Sequence, residues 1–231
     1  MNQWLLEQQT ESLISIGIAG IFIIFSLYLL YTVIKQNLHR RQIEKQIAQL
    51  GLKQLKDIVI DDGMDSTIQI ERVFLTHKGI LALSTNFLTG NIFGDDRIDT
   101  WAQVIGKRTY RFPNPLYNFE HTLAALKHHF NDLNVYAKIL FVGECTFPTG
   151  QPTGALLIDD LEKHQYKIDT HEINEHTKEL WNSFTKICEQ SKPKKIELPG
   201  DKYLNRKLTI AITLLLSGAA WLGYIITTTH L

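Results

Sequence analysis

Residues 79–101 read GILALSTNFLTGNIFGDDRIDTW. The apolar run Gly79–Thr85 follows a second run, Thr67–Leu75, that is equally rich in isoleucine, valine, phenylalanine and leucine. His77, Lys78 and Gly79 leave room only for a tight connection between them, so the two segments predict an antiparallel hairpin. Side chains alternate along a strand, which sets Ser84 and Asn86 on one face and Thr85 on the other. Glu71 on the partner strand is expected to face Ser84 and Asn86. Beyond the hairpin, the acidic segment 95–99 reads as a loop.

Outward from that hairpin, Leu38, Ile43, Ile47 and Leu50 punctuate an otherwise polar segment at helical spacing, predicting a helix over 37–50. A short strand is expected at 57–60, followed by a turn at Asp61, Asp62, Gly63 and Asp65. Residues 119–130 predict a helix opened by Asn114-Pro115, since proline is preorganised for a first helical turn. The near-continuous apolar run 135–142 predicts a buried strand. After Gly150 the expected elements are a short strand at 155–158 and a helix over 172–188, its apolar side formed by Ile173, Leu180, Trp181, Phe184 and Ile187. The order strand, hairpin, helix, strand predicts an α/β domain in which a helix packs on a mixed sheet.

Taken in order, Ile70-Glu71, Gly79-Ile80, Ser84-Thr85-Asn86, Gly90-Asn91-Ile92-Phe93-Gly94, Trp101, Phe112, Asn114-Pro115-Leu116, His121 and Phe141–Phe147 resemble the nuclease-related domain, or NERD, over about residues 40 to 150. Glu44 aligns loosely with that family's N-terminal acidic position. The resemblance implies a fold similar to the PD-(D/E)xK nucleases, in which two carboxylates on a hairpin hold Mg²⁺ and a lysine orients the attacking water. Residue by residue, Glu71 matches the first carboxylate. Ser84 and Asn86 stand where the family has glutamate and lysine. A hydroxyl is a weaker ligand for a hard cation than a carboxylate, and an amide carries no positive charge. The resemblance therefore implies a degenerate catalytic motif at Glu71, Ser84 and Asn86, with Glu71 the one metal ligand retained. No cofactor is expected on this reading. An active Mg²⁺-dependent nuclease would need relocated acids, and Glu44, Asp95, Asp96 and Asp99 are available.

Two uncharged runs frame the domain. The first, 13–34, is about 33 Å long as a helix and matches a bilayer's hydrocarbon core; the second, 208–229, has a polar Thr227–Thr229 end. Glu7 and Glu11 precede the first run, which argues for an uncleaved anchor over a signal peptide. Lys35, Arg40, Arg41 and Lys45 follow it, and Lys202, Arg206 and Lys207 precede the second. Cytoplasmic flanks collect lysine and arginine, so both termini are expected outside and the central domain inside a bacterial-type inner membrane. The expected organisation is a non-cytoplasmic tail at 1–12, a transmembrane helix at 13–34, the NERD-like domain at 35–150, its extension at 151–191, a basic linker at 192–207 and a transmembrane helix at 208–229. The expected partners are the lipid bilayer, DNA and other membrane proteins. Gly17 and Gly20, or Gly218 and Gly223, offer small faces for helix approach, though without the GxxxG spacing; lipid-facing glycine is the other reading.

The chain's 24 basic and 24 acidic residues balance, so no global field draws it to nucleic acid. Lys107, Arg108 and Arg111, interleaved with Tyr110 and Phe112, form the best local nucleic-acid patch, the alternative being a solvated hairpin. Cys145 and Cys188 lack redox or zinc spacing and read as free thiols. His128, His129, His164, His171 and His176 lack a zinc-enzyme pattern and read as surface residues. His121 either lines the ancestral cleft or packs at the start of its helix. These features leave three function classes: a binding or assembly module on a nuclease fold, an active membrane-tethered nuclease, and a pure protein scaffold.

Overall fold

The computed structural model describes residues 2–61, 66–161, 174–190 and 201–229. Two compact units emerge: α1 up to Gln42 together with α4, and the chain from Ile43 through α3. Helix α1 (Asn2–Ala48) is one continuous 47-residue helix. The segment 1–12 expected as a tail is thus helical from Asn2, and the helix expected separately at 37–50 continues the apolar one. From residue 21 to residue 50 the sequence contains neither glycine nor proline, so nothing interrupts the backbone ladder. Helix α4 (Asp201–Thr229) takes in residues 201–207, the end of what was expected as a basic linker; its nearest breakers, Pro199 and Gly200, precede it. Residues 191–200 lie outside the described set, as do Ile173, His164 and His171.

Both α1 and α4 are long and apolar enough to cross a membrane, and most of their large apolar side chains are exposed. Their contact is built from small residues. Ser26 donates its hydroxyl to the Ala211 carbonyl at 2.5 Å, while Gly218 lies against Ile23 and the Ala19 carbonyl. Because the partner of α1 rises from 211 to 218 as α1 falls from 26 to 19, the two helices are antiparallel. Buried positions recur at Ala19, Ser26 and Val33 on α1, and at Leu204, Ala211, Gly218 and Ile225 on α4. A seven-residue repeat of small and apolar residues is the seam of an antiparallel coiled-coil pair. Gly218 is therefore a packing glycine, whereas a Cβ at Gly17, Gly20 or Gly223 would meet none of the described residues within 4 Å.

The second unit holds two mixed sheets. In the first, β1 (Lys53–Asp61), β2 (Thr67–Thr76) and β3 (Gly79–Asn86) run antiparallel, and β7 (Val135–Phe141) and β9 (Ala155–Leu157) continue it in parallel, in the order β1-β2-β3-β7-β9. The hairpin β2–β3 is as expected. Gly79 makes it possible: its φ is +125°, and a Cβ there would sit 2.0 Å from the Asn134 carbonyl oxygen. Alternation then sorts the side chains. Val73, Leu75, Ile80 and Ala82 pack against helices α2 (Asn118–His129) and α3 (Glu175–Gln190). Phe74, Leu81 and Leu83 face the other way, onto Ile43, Ile47 and Leu50 at the end of α1. On α3 the buried residues are Trp181, Phe184 and Cys188; Ile187 is exposed, so the apolar stripe is turned by one residue from the expected one. His129 is half-buried against Phe184 and is not a surface residue.

The sequence reading missed most of the second sheet. It runs β6-β5-β4-β8, from β4 (Gly90–Phe93), β5 (Thr100–Ile105), β6 (Arg108–Pro113) and β8 (Cys145–Thr146). Its core explains the Gly-x-Ile-x-Gly segment. Ile92 is fully buried, and Gly94 lies so close to the Trp101 ring that a Cβ would be 2.2 Å from Cδ2. Trp101 stacks on Phe141 and meets Phe112 and Phe147 edge-on, with its indole N–H donated to the Asp95 carbonyl at 3.1 Å.

Candidate functional site

The hairpin is paired only from Arg72↔Leu83 to Thr76↔Gly79; beyond it β3 pairs with β7, while β2 pairs with β1 alone. The two strands diverge there. A cleft of about 600 Å³ opens in the fork, with Ser66–Gln69 on one side and Ser84, Thr85 and Asn86 on the other. Asn118, Phe119, His121 and Thr122 on the first turns of α2 close it. The structure thus brings Ser84, Asn86 and His121 to one cavity.

Glu71 sits at the apex of the fork, and its carboxylate points elsewhere than expected. Oε2 accepts the Thr85 backbone N–H at 2.7 Å, Oε1 accepts the Thr85 hydroxyl at 2.8 Å, and Arg72 Nε lies 3.4 Å from Oε1. Splaying the strands strips Thr85 N–H of a ladder partner on β2, and a buried amide must be satisfied. Glu71 satisfies it, so its carboxylate is directed to Thr85 and Arg72 and not between Ser84 and Asn86. Asn86 is also occupied: its Oδ1 accepts Leu88 N–H at 3.2 Å and its carbonyl accepts Val142 N–H at 2.8 Å. The Ser84 hydroxyl has no hydrogen-bond partner among the described residues.

Behind the fork lies a charge network. Arg72, buried in the sheet, donates Nη1 to Glu44 Oε2 at 2.9 Å and Nη2 to Oε1 at 2.5 Å, a two-pronged pair. Lys56 adds a bond to Glu44 Oε2 at 2.7 Å. Glu44 lies well past the apolar run that ends at Ile34. The hydrogen bonds from Arg72 hold its carboxyl at about 2, below the usual range, against burial, which works the other way. Burial by itself would lower the Arg72 pKa, but the hydrogen bonds and charge of Glu44 raise it. Sequence reasoning passed over Arg72. The available signal was an arginine beside a glutamate in an otherwise apolar strand.

The other acids of the sequence reading are committed to shape. Asp96 accepts from Thr153 N and Oγ1 at 3.1 and 2.6 Å and from Gly154 N at 3.4 Å. Asp95 Oδ1 accepts from Arg97 N, and Asp99 pairs with the Tyr117 hydroxyl. Buried Asn114 ties this loop down, donating to the carbonyls of Asp95 and Asp96 and accepting Leu116 N–H. Asn114-Pro115 is therefore a loop clamp ahead of α2, whose cap residue is Tyr117, and not the first helical turn. No cluster of three histidine, cysteine or acidic side chains suited to a metal occurs among the described residues. Mg²⁺, which the fold family implies, does not fit this donor set: both nearby carboxylates are engaged by arginine, and the cleft wall offers a hydroxyl and an engaged amide.

Lys107, Arg108 and Arg111 lie on the β5–β6 hairpin, all exposed, with Tyr110 exposed and Phe112 turned to the Trp101 core. Cys145 and Cys188 are free, and burial pushes both thiols up to about 11.

Residues 35–142 match the family model of the nuclease-related domain, in a chain that also carries two helices long and apolar enough to cross a membrane. No curated protein and no solved structure matches the chain.

Proposed function

We propose that this protein is a two-pass membrane protein whose nuclease-related domain has exchanged metal-dependent cleavage for binding, of nucleic acid or of a protein in an assembly at the membrane. The observation that carries this reading is the disposition of the two carboxylates. Glu44 and Glu71 are held by Arg72, Lys56 and Thr85, while the cleft itself is walled by Ser84 and Asn86. A phosphodiester entering that cleft would meet neutral donors and no divalent ion, so nothing there would activate water or offset charge on a leaving group. The domain is placed on the cytoplasmic side of a bacterial-type inner membrane, a topology supported by lysine and arginine at the inner flanks of both helices and by their antiparallel pairing.

The decisive experiment incubates the full chain in detergent micelles with DNA and millimolar Mg²⁺ or Mn²⁺. No cleavage is expected, from the natural protein or from a Ser84→Glu, Asn86→Lys variant. Metal-dependent cleavage by the natural protein that vanishes on Glu71→Ala would overturn the reading. DNA retention at low salt, lost at raised salt and on replacing Lys107, Arg108 and Arg111 by glutamine, would select nucleic acid over a protein partner. Labelling of single cysteines near each terminus by a membrane-impermeant reagent added outside intact cells tests the topology.

A further inference from the structure

We infer that Arg72 is the resident cation of the Glu44–Glu71 carboxylate pair and occupies the place a divalent ion would take in this domain, so that removing its guanidinium opens an oxygen site for a hard divalent cation. The inference stands whether or not the binding role proposed above is correct. Its basis is geometric. One guanidinium reaches both carboxylates, with two bonds to Glu44 at 2.5 and 2.9 Å and Nε at 3.4 Å from Glu71 Oε1. The side chains of Arg72 and Glu71 are 6 % and 10 % exposed and that of Glu44 is 36 % exposed, so the guanidinium and the Glu71 carboxylate are shielded from bulk water while Glu44 is partly open to it.

The local charges close. Two carboxylates face one guanidinium and the Lys56 ammonium, which leaves no net charge to attract a further cation. Arginine cannot be deprotonated in a protein, so the guanidinium's share of this neutralisation persists at every pH at which the carboxylates are ionised. A divalent ion would have to displace the guanidinium from the oxygen lone pairs it holds. Without Arg72, the same two carboxylates would keep only the Lys56 ammonium and carry one net negative charge, and hard oxygen ligands of that kind bind Mn²⁺ or Mg²⁺. Arg72 thereby makes the motif metal-independent in addition to the changes at Ser84 and Asn86, and restoring those two positions leaves the block in place.

Mn²⁺ is the probe, with binding to the full chain in detergent micelles followed by electron paramagnetic resonance and folding by tryptophan fluorescence. The natural protein is expected to bind no Mn²⁺ at up to roughly millimolar concentration. Arg72→Met is expected to bind one ion per chain and to melt several degrees higher with Mn²⁺ than without it, and both effects are expected to vanish when Glu44→Gln is added. If Arg72→Met is unfolded in chelator, the expected result is recovery of the folded fluorescence on adding Mn²⁺. Single-site Mn²⁺ binding by the natural protein that Glu44→Gln abolishes would overturn the inference. So would an Arg72→Met protein that neither binds Mn²⁺ nor is rescued by it.

Discussion

Arg72 and Glu44 form a two-pronged ion pair across the junction of β2 and the end of α1, with the arginine 6 % and the glutamate 36 % exposed at their side chains. Replacing Glu44 by glutamine leaves a buried guanidinium short of its counter-charge. Breaking a fully buried pair costs about 3–5 kcal/mol, and the exposure of Glu44 reduces the expected loss to about 1–2 kcal/mol. The sign with pH follows from a carboxyl held at about 2 in the fold against 4.5 in the unfolded chain. The stabilisation is complete above the unfolded value and is lost as pH falls through the folded one. Thermal melts of the two proteins should therefore differ at neutral pH and converge between pH 4.5 and 2.

Gly94→Ala should destabilise the second sheet by about 1–3 kcal/mol, because the new methyl would fall on the rigid indole of Trp101 and not on a flexible side chain. Chemical denaturation followed by tryptophan emission measures this directly. A substitution at Gly106, where a Cβ meets nothing but φ is +59°, should cost less, about 1 kcal/mol from backbone strain.

In the helix pair, cysteines placed at Ser26 and Ala211 in a background without Cys145 and Cys188 should form a disulfide under mild oxidation in membranes. A cysteine at Ile24, which is 69 % exposed, paired with the one at 211 should not. Gel mobility before and after reduction separates the two outcomes.

His129 provides a second pH signature. Burial, with the neighbouring charge of His128, holds its pKa below the ordinary value, and the imidazole rests on Phe184. The unfolded chain therefore takes up a proton at a pH where the fold does not. Stability from this residue is present above the unfolded value, about 6.5, and falls as pH drops through the lower folded value. In His129→Gln that segment of the stability–pH curve should flatten, as read from melts between pH 7.5 and 5.

Much of the first sheet was legible because its signals are local. Alternation in Thr67–Thr76 and Gly79–Asn86, and the tight turn between them, report directly on the chain near each residue. The second sheet was not legible for the opposite reason. Strands such as Gly90–Phe93 and Cys145–Thr146 are too short to show a period, and they exist because Trp101, Phe141 and Phe147 gather from distant parts of the chain. The same limit applied to the site. Alternation set Ser84 and Asn86 apart from Thr85, whereas the cleft is lined by all three, and where the Glu71 carboxylate goes depends on the strands diverging beyond Arg72.

The sequence by itself determined the nuclease-related match over residues 35–142 and the two long apolar runs, and that Ser84 and Asn86 carry no charge. Those properties are written in residue identity and spacing. Only the tertiary structure decided that Arg72 joins Glu44 to Glu71, that Thr85 turns the Glu71 carboxylate aside, and that a repeat of small residues seats α1 on α4. Apart from the contact between the neighbours Glu71 and Arg72, these join residues distant along the chain and are set by how strands splay and helices approach.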